Sequence, residues 1–218
     1  MSKYDYEYEQ DNEYCYPNSY VLKNKLNIDS AESLAIAERE ITATRIAGIM
    51  DTPVRGKLDF KHLRDIHSAI FCDVYAWAGK PRTVDISKGN QFCLSRHIET
   101  FAENVFSQLK NDRFLFDKTA EEMPERLTYY LSEINALHPF REGNGRTQRV
   151  FIEYLAQCAG YDVDFSQVDG KEMIEASALS FAKEYGRMTE MFRRIISTIS
   201  QQEQREFCKK VGVKQLKR

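Results

Sequence analysis

Twelve consecutive residues, His138-Pro139-Phe140-Arg141-Glu142-Gly143-Asn144-Gly145-Arg146-Thr147-Gln148-Arg149, interrupt an otherwise helical pattern and limit how the chain can fold. Apolar positions at helical spacing (Met123, Leu127, Tyr130, Leu131, Ile134) run into this segment, and a second set (Val150, Phe151, Tyr154, Leu155, Ala159) leaves it. Pro139 cannot continue a helix, so it holds the His138 imidazole at a helix end. Gly143 and Gly145 permit positive φ and close approach of a ligand to the backbone. The pattern predicts helix, tight polar loop, helix, with the loop's N–H groups gathered at the start of the second helix, where an anion is favoured. Arg146 and Arg149 project from one side of that helix's first turn. Cations there oppose the macrodipole, which makes sense when a polyanion such as polyphosphate lies between them. On charge logic alone, a sharp connection with surface arginines stays open, because one Gly-rich loop is a weak signal.

The segment resembles the signature of the Fic (filamentation induced by cAMP) family, His-x-Phe-x-(Asp/Glu)-Gly-Asn-Gly-Arg-x-x-Arg, and every specified position is filled. The resemblance extends from about Tyr14 to Ile199 and includes Trp77-Ala78-Gly79, which in that family precedes a flap. It implies a mainly α Fic fold, a helical bundle with a small β-hairpin flap near the active-site loop. It further implies a protein adenylyltransferase that moves AMP from ATP to a Ser, Thr or Tyr hydroxyl of a target protein. By the same resemblance Glu142 binds Mg²⁺ bridging the phosphates, Arg146 and Arg149 meet the β- and γ-phosphates, and Thr83, Val84, Asp85 and Ile86 belong to the flap that docks the target. The residues themselves assign two further roles. Backbone N–H groups of Gly143, Asn144 and Gly145 would hold phosphate oxygens, with the Asn144 side chain a further donor. His138 is the one loop group able to take a proton near pH 7, and would deprotonate the attacking hydroxyl. Phe140 is expected to anchor the loop in the core.

Relatives that act as kinases, notably the Doc toxins, depart at the second glycine; Gly145 is retained here, which favours nucleotidyl transfer. Phosphocholine transfer, a secreted host-directed effector and an inactive nucleotide-binding scaffold remain the alternatives. Many Fic enzymes carry an inhibitory (Ser/Thr)-x-x-x-Glu-(Gly/Asn) helix, and no segment here fits it. Ser180 to Glu184 comes near, but Tyr185 follows. The chain thus resembles the class of toxins silenced by a separate small antitoxin, with bacterial type II topoisomerases among the suggested targets.

At 218 residues, one Fic domain over positions 1–200 is expected, with 1–13 a flexible, tyrosine-rich acidic arm and 201–218 a basic tail. A net charge of −2 argues against direct nucleic-acid binding, and no apolar run is long enough to span a bilayer. The N-terminus lacks signal-peptide character, and the five scattered cysteines read as reduced thiols, so a bacterial cytoplasmic location is expected.

Along the chain, Asp29 or Ser30 caps a helix with Leu34, Ala37, Ile41 and Gly48 on its apolar face, and Asp59 opens the next. His67 falls on that second helix's core side and His62 on its surface. Trp77 is expected in the core. Thr83–Ile86 and Gln91–Leu94 form the hairpin around Gly89, whose free edge could pair with an extended peptide. Thr119 with Glu122 makes a capping-box pattern, and two more helices run over Gly170–Phe181 and Gly186–Ile199.

Overall fold

The computed structural model describes residues 11–88 and 90–213. The fold is mainly α, as expected: α1 (Ala31–Asp51), α2 (Phe60–Phe71), α3 (Ile98–Asn111), α4 (Met123–Leu137), α5 (Asn144–Ala159), α6 (Gly170–Phe181), α7 (Gly186–Ile195) and α8 (Gln201–Val211). Two short antiparallel pairs accompany them, β1 (Ser87–Lys88) with β2 (Asn90–Gln91), and β3 (Tyr161–Val163) with β4 (Ile196–Thr198). The central helix is α5, which packs against α2, α4, α8 and β3. Its Phe151, Ile152, Tyr154, Leu155 and Ala156 are wholly buried, so the helix that starts at the loop is also the axis of the core. That burial makes the loop's exit direction rigid.

Local chemistry starts the helices where the sequence indicates. Ser30 Oγ accepts from Ser33 N–H to cap α1, and Asp59 Oδ1 accepts from His62 N–H at 2.8 Å to cap α2. Thr119 and Glu122 exchange hydrogen bonds as a capping box, and Pro124 sits in the first turn of α4 just beyond.

Five expectations are corrected. The hairpin's paired strands lie nearer the turn and are shorter than expected; Thr83–Ile86 precede them, with a bend at Thr83 and Val84 and no ladder of their own. The helix expected over Gly186–Ile199 stops at Ile195, because β-branched Ile196 and Thr198 pair with β3. Of the expected basic tail 201–218, Gln201–Val211 form a helix, and 214–218 lie outside the described residues. Ser200 and Glu203 form a capping box, and α8 turns Cys208 and Val211 into the core beneath its basic face. His62 is buried rather than exposed: its Nδ1 accepts from Leu58 N–H at 3.3 Å, and Nε2–H donates to Val54 O at 2.8 Å. Gly56 makes the room, since a Cβ there would lie 2.1 Å from the His62 ring. On α1 the buried stripe is Leu34, Glu38, Thr42 and Ile49, whereas Gly48 faces solvent.

Residues 1–10 of the expected arm lie outside the described residues. Asp11, at its end, is held in place: its carboxylate accepts from buried Arg141 at 3.1 Å.

Candidate active site

The site begins with a distortion. His138 ends α4 in the left-handed region, φ 43° and ψ 59°, a conformation that costs a non-glycine residue about 1–2 kcal/mol. Arg82, fully buried, holds it there. Its backbone N–H donates to Pro139 O at 2.8 Å and its Nε to His138 O at 2.9 Å. The same guanidinium donates to Val84 O at 2.6 Å and to Cys93 O, so one side chain ties the His138–Pro139 turn to both arms of the hairpin. The imidazole stacks on Phe92 with centroids 3.7 Å apart. Nδ1 lies 3.3 Å from Asn135 O, a group that can only accept, so Nδ1 carries the proton and Nε2 is the ring's basic atom. That is the tautomer a general base needs.

Phe140 is buried as expected and stacks on His67 at 3.8 Å. His67 is a core histidine with a further task. Its Nδ1 accepts from Gly79 N–H at 2.8 Å, which leaves Nε2–H to donate to Glu142 O at 3.0 Å. Burial holds its pKa near 3, so the ring stays neutral and the bond keeps its direction.

Gly143 caps α5 at φ 81°, and a Cβ there would strike the Phe71 ring at 2.2 Å. Gly145 differs: an added Cβ would meet only Arg149 Nη1, at 3.5 Å, so its missing side chain opens the backbone to a ligand. Asn144 departs from expectation. Its side chain is buried, accepting from Phe140 N–H at 2.9 Å and donating to Phe140 O at 2.7 Å. It locks the loop, and only its backbone remains for an anion.

His138, Glu142, Gly143, Gly145, Arg146 and Arg149 line one cavity of about 320 Å³. The rest of the lining is largely apolar, with Phe92, Leu131 and, from α6, Met173, Ile174, Ala178 and Phe181. Glu142 Oε1 accepts from Gly143 N–H at 2.8 Å and lies 3.6 Å from Arg146 Nη2. Among the described residues no cluster of three His, Cys, Asp or Glu could hold a metal by itself. An ion on Glu142 would take its other ligands from phosphate and water, a set that suits Mg²⁺.

Arg146 is held from α1. Nη2 donates to Glu38 Oε1 at 2.5 Å, Nη1 to Thr42 Oγ1 at 2.9 Å, and the guanidinium lies 4.7 Å from the Phe71 ring centroid. Arg149 is largely buried, which lowers its pKa, and shows no hydrogen bond or ion pair among the described residues. Of the docking residues, Val84 and Ile86 turn inward while Thr83 and Asp85 are exposed, the alternation expected of them. Thr83 N–H donates to the Tyr14 hydroxyl at 3.2 Å, and Asp85 Oδ1 accepts from Ser95 N–H at 2.6 Å.

The motif residues are thus brought together. Glu38, Thr42, Tyr75, Arg82, Phe92 and the α6 wall were missed. The available signal was polar Glu38 and Thr42 at helical spacing on a stripe otherwise made of Leu34 and Ile49.

The Fic/DOC family profile matches residues 57–156, which contain this loop. Over 184 residues the chain is 38% identical to a probable protein adenylyltransferase, y4lH of Sinorhizobium fredii, covering 84% of this chain and 94% of that one. The chain belongs to the Fic/DOC family. It is also 41% identical over 189 residues to the protein adenylyltransferase VbhT of Bartonella schoenbuchensis, covering 86% of this chain but only 40% of VbhT. Among solved Fic structures, the N-terminal Fic domain of a VirB-translocated Bep effector from Bartonella quintana, with bound ADP, superposes with a TM-score of 0.83 at 28% identity. That match covers 88% of this chain and 98% of the other. No described helix of this Fic protein is long and apolar enough to cross a membrane.

Proposed function

We propose that this Fic protein is a protein adenylyltransferase that transfers AMP from ATP to a hydroxyl of a target protein. The observation that carries the reading is the single cavity wall on which a correctly tautomerised His138, Glu142 and two arginines meet at the start of α5. The polar wall suits the triphosphate, and the apolar wall formed by α6 and Phe92 suits the base. Both relatives above are named for this activity, and the matched Bartonella quintana domain binds ADP.

In this reading Nε2 of His138 takes the proton of the acceptor hydroxyl as it attacks the α-phosphorus, a contribution of about 10²–10⁴ in rate. The Gly143 N–H, expected to hold phosphate, is taken by Glu142 Oε1; the backbone N–H groups of Asn144 and Gly145 hold phosphate oxygens, and Arg146 and Arg149 balance charge on departing pyrophosphate. Glu142 would hold Mg²⁺, which bound there neutralises charge on the phosphates. Thr83–Ile86 present an edge to the target beside His138. Among described residues the Asp85 N–H carries no hydrogen bond, which leaves it for an extended peptide, while Val84 O is turned to Arg82.

Arg149 supports the finer reading of a toxin silenced in trans. No carboxylate among the described residues bonds or ion-pairs with it, and in this reading the inhibitory glutamate of a separate small partner would take that place. A bacterial type II topoisomerase is the first target to test. Incubation with a bacterial lysate and ATP labelled at the α- or the γ-position decides the reaction class. Label should enter protein from the α-position alone and vanish with His138→Ala, while ATP still binds. Label arriving only from the γ-position would make the protein a kinase.

A further inference from the structure

We propose that Glu38, on α1, is a positioning residue for Arg146, fixing that guanidinium toward the phosphates and away from Glu142. The inference rests on the reading that Arg146 meets the nucleotide. Glu38 is buried in a helix face that otherwise carries Leu34 and Ile49, and it does not line the cavity. Both its oxygens are used: Oε1 accepts from Arg146 Nη2 at 2.5 Å, and Oε2 accepts from the buried Tyr75 hydroxyl. Thr42, one turn on, accepts from Nη1 at 2.9 Å, and Phe71 lies beneath the guanidinium. Two elements, α1 and α2, therefore hold one arginine, and the chain just after α2 holds Glu38 in turn.

Two carboxylates compete for Nη2, since Glu142 Oε1 stands 3.6 Å away, one helical turn before Arg146. Without Glu38 the nearest carboxylate for Arg146 is the one whose charge the nucleotide site needs. Glu38 settles that competition from behind. It spends a buried carboxylate on geometry, since a partly neutralised Arg146 attracts phosphate less strongly than a bare one would.

The test is a double-mutant cycle on the full chain, read by transfer from α-labelled ATP, with thermal unfolding as a fold control. Glu38→Ala should lower kcat roughly tenfold or more with a smaller change in the KM for ATP, as expected when a transition-state contact loses its alignment. It should add no further loss to the residual activity of Arg146→Ala. Glu38→Gln, which keeps the shape and an acceptor, should recover part of the loss. Thr42→Val removes only the hydroxyl bond and should give a smaller drop of the same kind; it serves should Glu38→Ala not fold. NMR of arginine Nε–H groups gives a readout independent of activity: Arg146 should be rigid in the wild type and mobile in Glu38→Ala. An unchanged or raised kcat, a loss of equal size in the Arg146→Ala background, or a rigid Arg146 in Glu38→Ala would overturn the proposal. Full activity of Arg146→Ala would instead remove the phosphate assignment beneath it, an outcome read before Glu38 is changed.

Discussion

Arg146 and Arg149 leave the same face of α5 less than one turn apart, yet the protein treats them oppositely. Arg146 is held by Glu38 and Thr42 over the Phe71 ring, with Glu142 close by. Arg149 is also partly buried, and among the described residues its balancing charge is Glu153, one turn on, at no bonding distance. A buried charge without a close partner is costly, and proteins keep one where a ligand completes it. The contrast separates two tasks. Arg146 arrives with its geometry set, and Arg149 arrives with its charge available.

The largest test of that contrast compares Arg149→Ala with Arg146→Ala. Both should lower nucleotidyl transfer by about 10²–10³-fold, the usual size for a lost transition-state charge contact. Their stabilities should part. Arg146→Ala strands Glu38 beside Tyr75 and should lose about 1–3 kcal/mol, whereas Arg149→Ala removes a poorly compensated charge and should leave the Tm unchanged or raised. A partner that inhibits through a glutamate should bind the wild type and Arg146→Ala but not Arg149→Ala. Tm shifts of the same sign and size in the two variants would erase the distinction.

How much of this was legible in the sequence follows from what each feature depends on. The loop was legible because Pro139, Gly143 and Gly145 act locally: a proline ends a helix whatever surrounds it. The helix α5 itself was legible from its apolar spacing, but its central place in the core was not. Glu38 and Arg82 were not, because each acts through partners far along the chain, Arg146 and His138. Asn144 was misjudged because an amide in a phosphate loop donates equally well inward or outward, and only the Phe140 backbone decided between them. β3 and β4 escaped notice because three-residue strands have no period to show, and α8 because its apolar face hides among lysines and arginines.

The next test moves from the arginines to the flap, where neither arginine should matter. Asp85→Pro removes one N–H that the described structure leaves for a target, so modification of a protein target should fall about fivefold, the equivalent of one hydrogen bond. Nucleotide affinity should stay as in the wild type. A matching loss of ATP binding would mean that this edge supports the nucleotide site and does not dock the target.

The smallest effect sharpens the contrast from behind Arg149. Burial raises the Glu153 pKa to about 7 against Arg149's opposing pull, with Asp162 and Asp164 adding to the rise. In the unfolded chain the same carboxyl titrates near 4.5, so folding takes up a proton between about 4.5 and 7. Glu153 therefore favours the fold most at low pH, loses that contribution as pH rises through this window, and adds nothing further above it. His62 and His67, whose pKa values are lowered by burial, act in the opposite sense as pH falls below their ordinary value, so only the difference between wild type and Glu153→Gln isolates the carboxyl. That difference should favour the wild type at pH 5 and shrink toward pH 7. Above pH 7, ionised Glu153 becomes a partial partner for Arg149 and leaves the clamped Arg146 untouched. In a His138→Ala background, which prevents turnover, ATP should bind Glu153→Gln about twofold more tightly than its parent at pH 8, a modest screened effect, and equally at pH 6. Equal affinities at both pH values would show that Glu153 does not reach Arg149, and that the second arginine has no charge regulator within the fold.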